Sequence, residues 1–140
     1  VAEPSGRAFA HGWRSRDPRA TASRDTLIEG IGRARVEPGF LFDVVDALVE
    51  VGDADSIAAM RLLERLLGRR YGGSSGTNLV ACLQLATAMR ERGEAGSIVT
   101  LLCDRGERYA GTLFDDGWLA AHGIDPAASE ARLSARLRAA

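Results

Sequence analysis

The sequence predicts an α/β fold in which parallel strands are flanked by helices. Two long segments repeat apolar residues at helical spacing, a short apolar run rich in β-branched residues follows the second, and glycine-rich turns separate these elements. The order helix, strand, loop, helix, strand predicts a β-loop-α-β unit, and such units build parallel sheets with right-handed crossovers. At 140 residues the chain is expected to be one domain or a piece of one.

The first third of the chain is loop-rich. Residues 5–27 are small and polar with an Asp-Pro break, which predicts a long ordered loop or a short helix between loops. Residues 28–40 contain three glycines and a proline and are predicted to form turns. Residues 40–52 fit either a short helix or a strand.

Residues 53–68 form the clearest predicted helix. Asp53 is a suitable N-cap, and Gly68 is a suitable left-handed stop. The apolar stripe that is predicted to face the core consists of Ile57, Met60, Leu63, Leu66 and Leu67.

A second unit begins with a strand candidate at residues 69–73. It runs into the loop "GGSSGT" at 72–77, and a helix is predicted from Thr77 to Gly93. The run "SIVTLLC" at 97–103 is predicted to be a strand buried on both faces. Because ligands bind beyond the carboxyl ends of parallel strands, the loops at 72–77 and 103–109 are expected to lie near each other.

The chain is predicted to end in two helices. Gly123 closes a short helix, and Asp125 caps the last helix with Pro126 in its first turn. Leu133 and Leu137 give that last helix a thin apolar stripe.

Composition excludes several classes of function. The net charge of −1 argues against a general nucleic-acid binder, and no apolar run approaches the length of a membrane span. The two cysteines and two histidines lack metal-ligand spacing, and cysteines inside predicted core elements suit a reducing cytoplasm. All 18 basic residues are arginine, so the chain contains no lysine.

The loop "GGSSGTN" at 72–78 is the strongest candidate for a ligand site. A helix N-terminus carries unpaired N–H groups and a partial positive charge, and small residues let a ligand approach them. The ligand could be a phosphate, a carboxylate or a ring nitrogen, but a plain cap and tight turn explains the pattern equally well. The loop matches neither a P-loop nor a G-x-G-x-x-G motif.

Three motifs in order make the pattern specific: "IEGIG" at 28–32, "GGSSGTN" at 72–78 and "SIVTLLCDRGERY" at 97–109. Their succession resembles the C-terminal part of the cysteine synthase and cystathionine β-synthase family, in the bacterial branch of cysteine synthase-like and cysteine desulfhydrase proteins. The resemblance implies a pyridoxal-phosphate cofactor and the C-terminal portion of the tryptophan-synthase-β-like fold (fold type II).

The resemblance also implies site residues. Ser74, preceded by Gly73, matches the position whose hydroxyl bonds the pyridine nitrogen, and a neutral hydroxyl there leaves the ring largely unprotonated. Cys103 flanks the ring where many relatives have proline. The implied substrate-side loop comprises Glu29, Gly30 and Gly32.

The absence of lysine has a direct consequence. The family uses a Schiff-base lysine, and arginine cannot replace it because it stays protonated. We therefore assign no catalytic residue to this chain, and its start at Val1 rather than Met fits the C-terminal part of a longer enzyme that is inactive alone. The parts expected are a lead-in at 1–27, a cofactor- and substrate-side portion at 28–123 and a C-terminal helix at 124–140.

For the whole enzyme the resemblance implies β-elimination or β-replacement on a small amino acid such as cysteine or O-acetylserine. It also implies a cytoplasmic homodimer without nucleic-acid or membrane partners. Two other hypotheses stay open at this point. One is a non-catalytic α/β module that binds a phosphorylated metabolite at "GGSSGT", and the other is a structural interaction domain whose glycines are only turns and caps.

Overall fold

The computed structural model describes residues 1–139, and the chain divides into two compact units, Val1–Asp53 and Ala54–Ala140. The elements of the first unit are β1 (Ala2–Pro4), α1 (Ala8–Ser15) and β2 (Val49–Val51). Four helices follow: α2 (Asp53–Leu67), α3 (Gly73–Glu91), α4 (Asp116–Ala121) and α5 (Ala127–Ala139). Short 3-10 helices lie at Phe42–Val44 and Glu107–Tyr109.

The first unit is built on a parallel pair of strands, in which Ala2 is opposite Val49 and Pro4 is opposite Val51. The helix α1 confirms the short helix expected within residues 5–27. Both expectations for residues 40–52 are met, because the segment forms a 3-10 helix and then β2. Residues 28–40 consist of turns and extended chain, as predicted.

A small aromatic core closes this unit. Phe9 stacks on Phe40 with ring centroids 4.4 Å apart, and Phe40 meets the edge of Phe42 at 5.2 Å. The rings pack against the buried residues Ala8, Ala20 and Val36. Aromatic pairs of this kind add stability beyond the apolar area that they bury.

Glu3 on β1 is a buried carboxylate, with 1% of its surface exposed. It accepts hydrogen bonds from the backbone N–H groups of Ala10 and Phe9 in the first turn of α1, where the helix leaves such donors unpaired. Burial raises the pKa of Glu3 above its ordinary value, aided by the nearby carboxylate of Glu50 and opposed by the two N–H donors and by Arg7. Glu3 thus links β1 to the start of α1, although burial disfavours the charged form of its carboxyl group.

In the second unit the predicted helix at 53–68 is confirmed, and Gly68 ends it at a φ of 69°. Ile57, Met60 and Leu63 are buried as expected. Leu66 and Leu67 are about half exposed, so their place in the core stripe was wrong. They lie in the last turn of α2, whereas the tight contact with α3 lies near its start at Ser56.

Asp53 was wrongly predicted to cap its own helix. It is the first residue of α2, and its carboxylate accepts hydrogen bonds from the hydroxyl of Thr26 at 2.6 Å and from the N–H of Leu27 at 2.8 Å. Asp53 therefore anchors the chain that leads into the 28–32 turn. Sequence spacing gives no sign of a partner 26 residues away.

The second helix begins four residues earlier than predicted, so Gly73, Ser74 and Ser75 are helical rather than part of a loop. The reason lies in packing against α2. A Cβ on Gly76 would lie 2.0 Å from the carbonyl oxygen of Ser56, and the hydroxyls of Ser56 and Thr77 are 2.8 Å apart. This close crossing stabilises helical turns that local propensity alone disfavours.

The predicted strand at 97–103 does not form. The segment has no regular secondary structure, and Val99 is 91% exposed and Leu101 74% exposed. A strand needs a neighbour for its backbone groups, and among residues 1–139 the sheet consists of β1 and β2 alone. The strand candidate at 69–73 is likewise reduced to one antiparallel bridge between Tyr71 and Arg105, so the second unit lacks the expected β-loop-α-β unit.

The two C-terminal helices match the prediction. The carboxylate of Asp115 caps α4 by accepting from the N–H of Trp118, and Gly123 follows that helix at a φ of 68°. Asp125 accepts from the N–H of Ala127 at the start of α5, and Leu133 is buried. Leu137, the other residue of the predicted apolar stripe, is 38% exposed near the end of α5, so that part of the prediction was wrong. No helix within residues 1–139 is both long and apolar enough to cross a membrane.

The contact between α2 and α3 predicts a steric effect of Gly76→Ala. The added methyl group would meet backbone atoms of α2 that cannot move independently, so we expect a loss of about 1–3 kcal/mol in the free energy of unfolding, measured with urea. Gly111→Ala is the matched control, because a Cβ there meets no atom within 4 Å. Equal stability of the two variants would contradict this packing.

The environment of Glu3 predicts a pH effect. Because its folded pKa is raised, its contribution to stability is complete below the unfolded pKa and is lost as the pH rises through the folded pKa. Relative to the wild type, Glu3→Gln should therefore gain stability as the pH rises above about 4.5, in urea unfolding of the intact protein.

Glu50→Gln is the control of opposite sign. The N–H of Gly6 lowers the pKa of Glu50, so the stability that this carboxylate contributes is lost as the pH falls through its folded pKa. A wild type and a Glu3→Gln variant with parallel pH profiles would refute the role assigned to Glu3.

Candidate functional site

The N-terminal turn of α3 is largely covered by α2 and by residues 103–109. All residues from 71 to 77 are buried, and Gly72 occupies the N-cap position without a side-chain cap. Its φ of −72° and ψ of 168° are open to any residue, so glycine is not required there for its conformation. The predicted ligand loop is therefore a helix start with exceptionally small side chains.

The two serines of this turn differ in their bonding. Ser75 is fully buried, and its hydroxyl accepts a hydrogen bond of 2.8 Å from the backbone N–H of Cys103. Ser74 is 6% exposed, and its hydroxyl has no hydrogen-bond partner among residues 1–139. The Ser74 oxygen is not among the fully buried side-chain atoms that lack a partner, so solvent reaches it and a ligand can replace that solvent.

The segment 103–109 lies directly against this turn. The N–H of Gly72 donates to the carbonyl of Asp104 at 3.1 Å, and the N–H of Gly106 donates to the carbonyl of Arg70 at 3.1 Å. The expected proximity of the loops at 72–77 and 103–109 is therefore confirmed. Their pairing is antiparallel through the Tyr71–Arg105 bridge, not the parallel arrangement predicted from two strands.

Gly73, Ser74 and Cys103, the residues proposed for the cofactor side, thus belong to one neighbourhood. Cys103 is an exposed free thiol, and its sulfur receives a long contact of 3.8 Å from the side-chain amide of Asn78. Its backbone N–H is tied to Ser75. Residues 1–139 contain no cluster of three or more potential metal ligands.

The glycine turn at 28–32 belongs to the first unit. Gly30 and Gly32 have φ values of 79° and 74°, a left-handed conformation that favours glycine. Just before them, Ile28 is buried and Glu29 is exposed. A Cβ on Gly30 would meet no atom within 4 Å, whereas one on Gly32 would lie 2.8 Å from Cγ of Arg7. The turn therefore presents open backbone at Gly30.

Two supporting residues of this turn were missed by the sequence analysis. Asp53 holds the approach to the turn through Thr26 and Leu27, and Arg7 packs beneath Gly32. The Arg7 guanidinium also pairs with Asp25 at 3.1 Å. Neither role follows from a motif, because each depends on partners far away in the chain.

The residues at the start of α3 fit a neutral heterocyclic nitrogen. The Ser74 hydroxyl, which has no protein partner within residues 1–139 and is not sealed from solvent, can donate a hydrogen bond, and the residues next to it have small side chains. Lysine, by contrast, is absent from all 140 residues, so a covalent anchor for an aldehyde cofactor is not among them.

Comparison with known proteins shows which family the chain belongs to. The sequence model of the family described as pyridoxal-phosphate dependent enzyme matches residues 1–104. The L-cysteine desulfhydrase Cds1 of Mycobacterium tuberculosis is 47% identical over 133 residues, which cover 95% of this chain and 36% of that protein. The N-(2-amino-2-carboxyethyl)-L-glutamate synthase of Ralstonia nicotianae is 45% identical over 95 residues, covering 66% of this chain and 27% of the relative.

The fold of this chain is also similar to solved structures of cysteine synthases. A cysteine synthase from Entamoeba histolytica superposes with a TM-score of 0.64 at 26% identity, covering 80% of this chain and 30% of that one. An O-acetylserine sulfhydrylase isoform from the same organism gives a TM-score of 0.63 at 30% identity, with 80% and 31% covered. The chain thus spans about a third of the length of the relatives that it matches.

These matches confirm the predicted fold class, α/β of the tryptophan-synthase-β-like type, together with the resemblance and the cofactor of the family. The chain belongs to the pyridoxal-phosphate-dependent enzyme family that contains the cysteine synthases and L-cysteine desulfhydrases.

Proposed function

We propose that this chain is part of an enzyme that eliminates or replaces the β-substituent of a small amino acid, as in cysteine desulfhydration or cysteine synthesis. The observation that carries the proposal is the Ser74 hydroxyl at a helix N-terminus: the residue is 6% exposed, and the hydroxyl has no protein partner in residues 1–139 but is not sealed from solvent. The family match over residues 1–104 supports an enzyme over a module that only binds a phosphorylated metabolite.

Bound pyridoxal phosphate supplies an electron sink for the negative charge left at the α-carbon of an amino acid. In this proposal the Ser74 hydroxyl donates a hydrogen bond to the pyridine nitrogen. A serine cannot hold a proton on that nitrogen as a carboxylate would, so the ring stays largely unprotonated. That suits β-elimination, in which charge need not accumulate deeply in the ring.

Other residues take supporting roles in the same proposal. Gly73 gives the ring access to the helix start, and Cys103 lies beside it through its backbone bond to Ser75. Glu29, Gly30 and Gly32 form the substrate-side turn, whose open backbone at Gly30 can approach an amino-acid ligand. The division into 1–27, 28–123 and 124–140 belongs to this proposal too.

We further propose a homodimer that works in the cytoplasm. Exposed apolar side chains support an assembly with more polypeptide, and the largest exposed fractions among them are those of Val99, Leu101, Val44, Leu41 and Val1. The two free cysteines suit a reducing compartment.

The two serines provide a matched test. Ser74→Ala should weaken binding of pyridoxal phosphate to the intact protein by about two- to tenfold, the effect of one lost hydrogen bond, and should change the cofactor's visible absorption. The same variant should leave the stability of the cofactor-free protein within about 0.5 kcal/mol of the wild type, because no hydrogen bond within residues 1–139 is lost.

Ser75→Ala is the comparison variant, because its hydroxyl, unlike that of Ser74, has a protein partner. It strands the N–H of Cys103, so the cofactor-free protein should lose about 1 kcal/mol or more in urea unfolding. If Ser74→Ala left both cofactor affinity and absorption unchanged, the proposed contact would be refuted.

The missing lysine predicts where the covalent anchor lies. After borohydride reduction of the intact holoprotein, peptide mapping should find the pyridoxyl group on one lysine outside these 140 residues. A pyridoxyl group on any side chain within Val1–Ala140 would contradict the assignment.

A further inference from the structure

Residues 103–109, called the strap below, bind the start of α3 through backbone groups along their length. The N–H of Cys103 donates to Ser75 Oγ at 2.8 Å, and the carbonyl of Asp104 accepts from the N–H of Gly72 at 3.1 Å. Farther along, the N–H of Gly106 donates to the carbonyl of Arg70 at 3.1 Å. The strap thus contacts the residues just before α3 as well as the first turn of that helix.

Side chains of the strap then lock it into one shape. Tyr109 is 6% exposed, and its hydroxyl donates to Asp104 Oδ2 at 2.8 Å. A hydrogen bond to a carboxylate is stronger than one between neutral groups. The guanidinium of Arg108 lies 5.0 Å from the centre of the Tyr109 ring.

The locked strap leaves no free space at Gly72. A Cβ there would lie 2.1 Å from Asp104 Oδ1 and 3.0 Å from Cε2 of Tyr109. Since the backbone of Gly72 suits any residue, the glycine is needed for room. The Asp104–Tyr109 pair therefore rests directly on the N-cap of α3, two residues before Ser74.

We propose that Asp104 and Tyr109 are positioning residues that hold the helix start so that the Ser74 hydroxyl meets the cofactor ring nitrogen. This inference rests on the proposed function of Ser74. Releasing the strap would let Gly72 move, and Ser74 in the same helical turn would move with it. A shift of about half an ångström is enough to weaken a hydrogen bond that depends on distance and angle.

The test uses the intact holoprotein and the visible absorption and fluorescence of its bound pyridoxal phosphate. Tyr109→Phe keeps the ring against Gly72 but removes the bond to Asp104. It should change the cofactor spectrum in the same direction as Ser74→Ala. It should weaken cofactor binding by about two- to fivefold, a smaller effect than the loss of a complete hydrogen bond. Asp104→Asn, which keeps an oxygen acceptor for the tyrosine, should retain most of the wild-type spectrum.

A double-mutant cycle separates positioning from a general loss of stability. If the strap acts through Ser74, Tyr109→Phe should add little to the spectral change in a Ser74→Ala background, since coupled residues are not additive. Tyr71→Phe is the matched control, because it deletes the hydroxyl of another buried tyrosine, which bonds Arg69 instead. It should leave the spectrum unchanged.

The outcomes distinguish the two proposals. A spectral change with Ser74→Ala but none with Tyr109→Phe would overturn the strap and leave the function of Ser74 standing. Additive changes in the double variant would also overturn it. No change with Ser74→Ala would refute the proposed function itself. Should Tyr109→Phe fail to fold, Gly72→Ala tests the same contact, because its methyl group displaces Asp104; a wild-type spectrum would then overturn the strap.

Discussion

The second unit depends on the lack of side-chain volume at the start of α3. Gly76 lets α2 approach until a Cβ would touch the carbonyl of Ser56, and Gly72 lets Asp104 approach from the strap. Between these two contacts the hydroxyl of Ser75 is bonded to the strap, whereas that of Ser74 has no partner within residues 1–139. Close packing therefore fixes the turn and leaves one polar group available to a ligand.

In the proposed function, this arrangement lets a chain without lysine contribute to a coenzyme site. The chemistry of the family needs a covalent anchor, which this sequence lacks, and also a partner for the ring nitrogen, which α3 can provide. In this proposal the backbone contacts around the start of α3 hold the Ser74 hydroxyl in place, so no carboxylate is needed as the partner of the ring nitrogen. The supporting contacts to Gly72 and Ser75 come from one short segment, so the position of Ser74 depends on the strap.

The sequence predicted much of this and missed the parts that depend on distant partners. Local signals found α2 with its stop at Gly68, the end of the short helix at Gly123 and the capping residue Asp125. Motif order identified the family, which the comparisons confirm, whereas the contact of Ser74 with the cofactor stays a prediction. The start of α3 was placed too late because Gly76 and Ser56 interact across 20 residues, and no local propensity reports such a contact.

The segment 97–103 shows the other limit of local reasoning. Its β-branched residues have the propensity for a strand, but a strand also needs a neighbour, and within residues 1–139 the sheet contains only β1 and β2. The antiparallel bridge at Tyr71 was hidden for the same reason, because its partner Arg105 belongs to a segment with the sequence of a loop.

The central claim, that Ser74 meets the nitrogen of the coenzyme ring, is tested most directly by a crystal structure of the intact protein with pyridoxal phosphate bound. The account predicts Ser74 Oγ within about 3.2 Å of the pyridine nitrogen, at hydrogen-bonding geometry. A ring nitrogen that faces a carboxylate, or that lies beyond hydrogen-bonding distance of Ser74, would contradict it.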